Sequence, residues 1–289
     1  MKTRKKKFTK LQCSPVKSSK MNKYSCYSSD NLLIMRDLWN KNNVDNKILY
    51  SQPFEIWKEL KKNLNKKCYN ELCWLNENVF NDINKQQIIK EMFRPFAPVT
   101  WKEQPYQWLT SVEILEVMEQ YKHKFSNFEF IGPSPIDFDS KELSGTCVWK
   151  QLCNLQLSNF LNQNPPKTKI GIIFNTHPHY KSGEHWISLF IDLDKNFIFY
   201  FDSNGDKEPK EIRVLVKRIQ KQGQLLNKKL PFHSNKGKEH QFKDGQCGVY
   251  CLYFIVQLLR ENKDYLYFKK HRIKDEDMRD YRLKFFNQL

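Results

Sequence analysis

Long apolar runs are absent from this 289-residue sequence. No stretch approaches the roughly 18 consecutive apolar residues of a membrane span, so no transmembrane segment is predicted. The N-terminal segment Met1–Lys10 is rich in lysine but lacks the apolar stretch that a signal peptide requires. The sequence therefore predicts a soluble intracellular protein.

Paired C-x-x-C motifs are also absent, although the chain has eight cysteines. That paired pattern is typical of structural zinc sites, and none of the close pairs repeats it: Cys68 and Cys73, Cys147 and Cys153, Cys247 and Cys251. His177 and His179 flank Pro178 in a predicted loop, where a solvated turn explains them more simply than a metal does. We predict no metal and no cofactor. Because disulfides are rare inside cells, we predict mostly reduced cysteines.

Acidic residues are outnumbered by basic ones, 32 to 49, which gives a formal net charge of +17. An excess of this size attracts polyanions over about 8 to 10 Å at ordinary salt. The charge therefore predicts nucleic acid, or a crowded nucleoprotein particle, as a further partner.

The distribution of apolar residues divides the chain into three regions. Residues 1–30 are basic and have no apolar period, which predicts a flexible tail. In residues 31–95, apolar residues recur at three- and four-residue intervals and predict short helices. Pro95 and Pro98 would interrupt a helix and mark the boundary to the main domain, residues 96–289.

The main domain is predicted to be α+β, with a central sheet packed against helices. Short runs rich in Ile and Phe predict strands at 170–175, 185–193 and 196–202, the last two of which form a hairpin. Helical spacing of apolar residues predicts helices at 111–121, 208–226 and 247–260, and a final helix from about residue 275.

Three residues of this domain have the chemistry of a cysteine protease. His185 begins one predicted strand and Asp202 ends its hairpin partner, and adjacent antiparallel strands can place such ends side by side. Cys247 follows later in the chain. A thiolate nucleophile, an imidazole base and a carboxylate that orients the base are the groups this chemistry needs. Alone, each residue has an ordinary structural explanation, and only their joint occurrence favours catalysis.

The run of apolar residues after Cys247 predicts a buried helix with Cys247 at its N-terminus. The helix dipole and unpaired N–H groups there are expected to lower the thiol pKa. The Cys247 N–H and a glutamine amide would stabilise an oxyanion. Gln241 and Gln246 are both candidates for that glutamine.

Short motifs around these residues resemble the SUMO-specific and adenovirus-type cysteine proteases. They are Gly183–Trp186, Tyr200–Ser203, and Gln241 followed six residues later by Cys247-Gly248. The resemblance is closest to the polyprotein-processing proteases of African swine fever virus and related large DNA viruses, which His240-Gln241 and Ile273–Met278 also match. It covers the chain from about Trp108 to the end.

This resemblance implies the fold and the catalytic residues. The expected fold is a papain-like, Ulp1-type core with a central mixed sheet flanked by helices, and residues 31–95 become an N-terminal helical arm. The resemblance implies His185, Asp202 and Cys247 as the triad and Gln241 as the oxyanion donor, because the spacing of Gln241 matches the family.

The resemblance also implies how substrate binds. Proteases of this group enclose a Gly-Gly segment in a narrow tunnel of aromatic residues. Trp186, next to the base, is the expected wall, and Trp108, in a Trp-Leu pair typical of SUMO proteases, is a second substrate-binding residue.

The expected function is a viral cysteine endopeptidase that cleaves structural polyproteins at Gly-Gly-X sites during virion maturation, in the host cytoplasm and in the virion. One alternative is an isopeptidase that removes SUMO or ubiquitin from host proteins. The other is a non-enzymatic basic protein that binds DNA or is packaged in the virion. The sequence leaves the oligomeric state open.

Overall fold

The computed structural model describes residues 12–16 and 23–287. These residues form two compact units, one of which contains the described residues up to Phe96 and those from Lys284 onward, and the other Ala97–Leu283. The predicted region 96–289 thus differs from the second unit at its C-terminal end. Asn287 explains the difference, because its amide groups donate to the carbonyls of Pro95 and Arg94 in the first unit.

The first unit is built from helices. They pack around a core that includes Tyr27, Trp74 and Phe93, with ring centroids 5.5 to 6.0 Å apart. The bounds are α1 Ser29–Asn42, α2 Pro53–Leu64, α3 Glu71–Trp74 and α4 Lys85–Met92, with a 3₁₀ turn at Asn78–Phe80. Trp74 and Tyr27 are fully buried, so aromatic packing supplies much of the apolar burial here.

The prediction of a flexible tail over residues 1–30 is wrong for the part that the structure describes. Cys13 forms a β-bridge with Phe93 and a disulfide with Cys26, and the Ser28 hydroxyl caps α1. These contacts fix residues 12–16 and 23–30 against the helices. Residues 1–11 and 17–22, the rest of the predicted tail, lie outside the described residues.

The prediction of mostly reduced cysteines is also wrong. Disulfides join Cys13 to Cys26, Cys68 to Cys73 and Cys147 to Cys153, and leave Cys247 and Cys251 free. Each pair is close in sequence, and the folded chain brings its Cα atoms to 4.9–6.3 Å, the range in which cysteines can be bridged.

The second unit contains a mixed sheet of five strands in the order β1-β2-β3-β4-β5. The outer pairs β1/β2 and β4/β5 are parallel, and the inner strands are antiparallel. The strands are β1 Phe128–Pro135, β2 Lys169–Asn175, β3 Trp186–Asp192, β4 Phe197–Phe201 and β5 Phe232–Ser234. The predicted α+β class and the predicted mixed sheet are confirmed.

Helices cover both faces of this sheet. They are α5 Ser111–Lys124, α6 Lys150–Cys153, α7 Leu157–Leu161, α8 Lys210–Leu225, α9 Cys247–Leu259, α10 Tyr265–Lys270 and α11 Asp275–Phe285, with a 3₁₀ turn at Val99–Lys102. Alternate strand residues point to opposite faces. Leu189 therefore joins the core formed with α8, whereas Phe199 and Phe201 contact Phe254 of α9.

Helix α9 is buried along its whole length. It packs against β2 and β3, two inner strands of the sheet. In the described part of the chain, every helix is too short or too polar to cross a membrane.

Candidate active site

The β3–β4 hairpin brings His185 and Asp202 together. His185 directly precedes β3 and Asp202 directly follows β4, and the antiparallel register pairs Ser188 with Phe201. The two side chains consequently lie at the same end of the hairpin. His185 Nε2 is 2.7 Å from Asp202 Oδ1, a short charge-assisted hydrogen bond.

Cys247 is the first residue of α9, as predicted from the apolar run that follows it. Its side chain lies close enough to His185 to raise the pKa of the imidazole. Because Nε2 of His185 is bound to Asp202, Nδ1 is the ring nitrogen left for the sulfur. The structure thus brings sulfur, imidazole and carboxylate together, with the imidazole between the other two groups. Cys247 is only 3% exposed, so its side chain is largely shielded from water.

The pKa of His185 reports the electrostatics of this arrangement. Burial alone would lower it, but hydrogen bonds to Asp202 and Cys247 and their negative charges outweigh burial and raise the pKa from 6.5 to about 10. At neutral pH His185 is therefore positively charged. This is the charge state in which the imidazole can donate a proton.

The orientation of Asp202 is fixed by its neighbours. Asn235 is 1% exposed and clamps the backbone of Asp202: its Oδ1 accepts from Asp202 N at 3.0 Å, and its Nδ2 donates to Asp202 O at 2.6 Å. The carboxylate itself accepts from Asn204 N at 2.9 Å and from the Tyr200 hydroxyl at 3.4 Å. These bonds aim one oxygen at the imidazole.

The two candidate glutamines have different surroundings. The Gln241 Oε1 accepts a hydrogen bond from the Ser203 hydroxyl at 2.9 Å, which fixes the amide and leaves its NH₂ group to donate elsewhere. Gln246 directly precedes α9 and is 2% exposed, and its Oε1 accepts from Arg282 Nε at 3.4 Å. Ser203 directly follows Asp202, so the hairpin positions Gln241 as well as the base.

A groove of about 1050 Å³ runs along this end of the unit. Trp186 and Trp108 are among its lining residues. Trp186 donates its Nε1–H to Leu109 O at 2.8 Å and is 8% exposed, whereas Trp108 donates to Asp244 Oδ1 at 3.2 Å and is 42% exposed. Both predicted substrate-binding tryptophans thus lie on the groove, and Trp186 is adjacent to His185 in the chain.

His177 and His179 lie on the loop after β2, in the wall of the same groove. His177 Nε2 is 3.2 Å from Glu184 and His179 Nδ1 is 2.6 Å from Asp137. Each ring is thus paired with a different carboxylate. Among the described residues, Cys13, Cys26 and Glu71 form the group that could supply metal ligands. The sulfurs of its two cysteines are joined in a disulfide.

Comparison with protein families identifies the catalytic region. Residues 157–289 match the Ulp1 protease family, C-terminal catalytic domain, and this range contains His185, Asp202, Gln241 and Cys247. Residues 157–289 are therefore similar to a Ulp1-type catalytic domain. The sequence resemblance to this group and the prediction of thiol protease activity are both confirmed.

Proteins similar to this chain occur in a mimivirus and in African swine fever virus. A protein of Acanthamoeba polyphaga mimivirus that is named as a thiol protease is 26% identical over 271 residues, 86% of this chain and 84% of the relative. The cysteine protease of African swine fever virus is 27% identical over 185 residues, 62% of this chain and 67% of the relative. The crystal structure of that protease superposes with a TM-score of 0.69 at 20% identity and covers 96% of both chains, which shows a shared fold.

Sequence patterns missed several residues that shape the site. Asn235 and Arg282 lie far in sequence from the residues they contact, and no local motif marks them. Ser203 had a signal, since it directly follows Asp202, but a serine after an aspartate is typical of an ordinary turn.

Proposed function

We propose that this chain is an endopeptidase that cleaves structural polyproteins at Gly-Gly-X sites during virion maturation. The observation that carries the proposal is the grouping of Cys247, His185 and Asp202 beside a groove that Trp186 and Trp108 line. A passage between aromatic walls favours residues without side chains, and glycine has none.

In this function Cys247 is the nucleophile and His185 the acid and base. The thiolate sulfur attacks the carbonyl carbon of the scissile peptide bond, and the carbonyl oxygen takes up the negative charge. His185 then gives its proton to the leaving amine as the carbon–nitrogen bond breaks, which leaves a thioester. Water hydrolyses the thioester, and His185 accepts the proton that this water loses. Asp202 holds the imidazole in place throughout.

Two donors stabilise the oxyanion in both steps. One is the backbone N–H of Cys247 at the start of α9, and the other is the Gln241 amide, which Ser203 holds by its oxygen. Gln246 is less suited to this role, because its oxygen is bound to Arg282 and the side chain is buried.

The viral relatives support a viral substrate. The host cytoplasm and the virion are therefore the proposed locations, and residues 31–95 are the proposed N-terminal arm. Contact with nucleic acid is a further proposal, which rests on the net charge of +17.

The test is cleavage of matched peptides by the reduced, full-length chain. A capsid-precursor peptide with Gly-Gly before the scissile bond should be cut, and the same peptide with Ala-Ala should be cut at least about tenfold more slowly, because a methyl group does not fit between the walls. Cys247→Ser should abolish cleavage and leave the thermal unfolding midpoint unchanged. Equal rates on both peptides would refute the glycine preference.

An isopeptidase is the alternative that a specific observation favours, because relatives in some African swine fever virus isolates are named SUMO-1 cysteine protease. Ubiquitin and SUMO carrying a C-terminal electrophile distinguish the two functions. Rapid labelling of Cys247 by either probe, with the peptides left uncut, would replace the endopeptidase by an isopeptidase. Salt-sensitive DNA binding without any peptidase activity would favour a non-enzymatic protein.

A further inference from the structure

Arg282 of α11 is a buried arginine beside the nucleophile. It is 3% exposed, and three of its N–H groups donate hydrogen bonds. Nη1 donates to Gln107 O at 2.9 Å, Nη2 to Gly245 O at 2.9 Å, and Nε to Gln246 Oε1 at 3.4 Å. Its guanidinium also lies 4.3 Å above the Trp101 ring.

These acceptors belong to two segments with different tasks. Gly245 and Gln246 directly precede Cys247, and Gln107 directly precedes Trp108 of the groove wall. One planar guanidinium therefore ties the nucleophile's loop to the wall of the groove. Lysine cannot do this, because its ammonium lacks the fixed fork of donors.

The two segments are in direct contact at Gly245. This residue has φ of +87°, and a Cβ atom there would lie 2.1 Å from Tyr106 O. Only glycine allows this approach. The positions of loop and wall are thus coupled, and Arg282 is the side chain that holds both.

The charge of Arg282 is not balanced by a carboxylate. Within the described part of the chain, no acidic group lies within ion-pair distance of it. A buried charge that lacks such a partner is costly to maintain. Cys247, Glu113 and Tyr106 each raise the pKa of Arg282 when they carry a negative charge, and Cys247 has the strongest effect.

We infer that Arg282 is a positioning residue of the active site: it fixes the Gly245–Cys247 loop against the groove wall and supplies positive charge that stabilises the Cys247 thiolate. This inference rests on the proposed role of Cys247 as the nucleophile. It adds a second positive charge to that of His185.

The ionisation of Arg282 agrees with this assignment. Burial lowers its pKa to about 10, and the negative charge of Cys247 is the main effect that opposes burial. Arg282 is therefore positive at neutral pH. The other titratable groups that face the sulfur are His185, which lies close to it, Asp202 behind the imidazole, and the buried Cys251 one turn along α9.

The charge is tested by the rate at which iodoacetamide alkylates Cys247, measured by mass spectrometry on the full-length chain at a series of pH values. Removing the charge in Arg282→Gln should move the midpoint of the rate profile to higher pH by about one unit, a tenfold change in ionisation. Arg282→Lys keeps the charge and should leave the midpoint in place. Arg279→Gln removes an exposed charge from the same helix and is the matched control.

The positioning role is tested by kinetics on the cleaved peptide. Arg282→Lys loses the forked hydrogen bonds, so KM should rise by about tenfold with a smaller change in kcat. A wild-type KM in this variant would overturn the positioning role. A wild-type alkylation midpoint in folded Arg282→Gln would overturn the electrostatic role.

Folding is checked by the thermal midpoint of each variant. If Arg282→Gln does not fold, Gln246→Glu decides, because a carboxylate of nearly the same shape then pairs with Nε and neutralises the guanidinium. The alkylation midpoint should again rise, and an unchanged midpoint overturns the inference. Alkylation needs no substrate, so an uncut Gly-Gly peptide would refute the proposed function and leave this test intact.

Discussion

Asp202→Asn removes one negative charge from the site and leaves its shape intact. Asp202 is 2.7 Å from the His185 ring, and its charge and hydrogen bond oppose burial and raise the pKa of that imidazole to about 10. The amide that replaces the carboxylate can still accept a hydrogen bond from the ring, but it carries no negative charge. It therefore stabilises the imidazolium less. The pKa of His185 should therefore fall in the variant.

The size of the effect follows from the geometry. An opposite charge at hydrogen-bond distance shifts a pKa by about 1 to 3 units, or about 1.4 to 4 kcal/mol. The full rise, from 6.5 to about 10, is shared with Cys247, so a fall of about 2 units is expected. If the transition state loses the same amount of stabilisation, kcat/KM decreases by about 100-fold.

The stability of the fold should depend on pH in a defined direction. The pKa of His185 is higher in the folded state than the unfolded value of 6.5, so the stabilising effect is fully present below 6.5 and is lost as the pH rises through about 10. The difference in unfolding free energy between wild type and Asp202→Asn should thus be largest at mildly acidic pH.

Two measurements check this reasoning. NMR titration of the His185 ring gives its pKa in both proteins, and urea unfolding at several pH values gives the difference in stability. Tyr200→Phe, which removes only the distant 3.4 Å hydrogen bond to Asp202, is the control and should shift the pKa far less. An unchanged imidazole pKa in Asp202→Asn would refute the account.

Two further predictions concern neighbouring residues. Ser203→Ala removes the hydrogen bond that fixes Gln241. In steady-state kinetics, kcat should therefore fall by about tenfold with KM unchanged. A kcat equal to that of the wild type would contradict the role of Gln241. Burial, assisted by nearby positive charge, lowers the pKa of His240 to about 4, below its unfolded value of 6.5. The free energy of unfolding should therefore decrease by up to about 3 kcal/mol as the pH falls from 6.5 through 4. In His240→Gln, whose amide can still accept from Ile273 N, urea unfolding should show a smaller loss.

Local patterns were sufficient to predict the elements that carry the catalytic groups. The alternating apolar runs predicted the β3–β4 hairpin, and the apolar stretch after Cys247 predicted α9, which ends at Leu259, one residue before the predicted end. Helix α5 begins at Ser111 as predicted, but Thr110 is its cap, with Glu113 completing a capping box. These elements have strong periodicity and are fixed by burial.

Strands β1 and β5 were not predicted, for two physical reasons. Strand β1 contains Pro133 and Pro135, which indicate a turn, and it tolerates them because it lies at the edge of the sheet, where its register with β2 shifts. Strand β5 has only three residues, too few for a period to be recognised. Both depend on pairing with strands elsewhere in the chain, and a local pattern does not contain that information.

The active site draws its groups from the hairpin and from a helix that comes later in the chain. During synthesis, His185 and Asp202 therefore emerge from the ribosome before Cys247 does. Until α9 has been made and has docked on the sheet, the nascent chain has a base but no nucleophile. A protease built in this way cannot cut its own unfinished chain, and hydrolysis begins only after α9 has packed on the sheet.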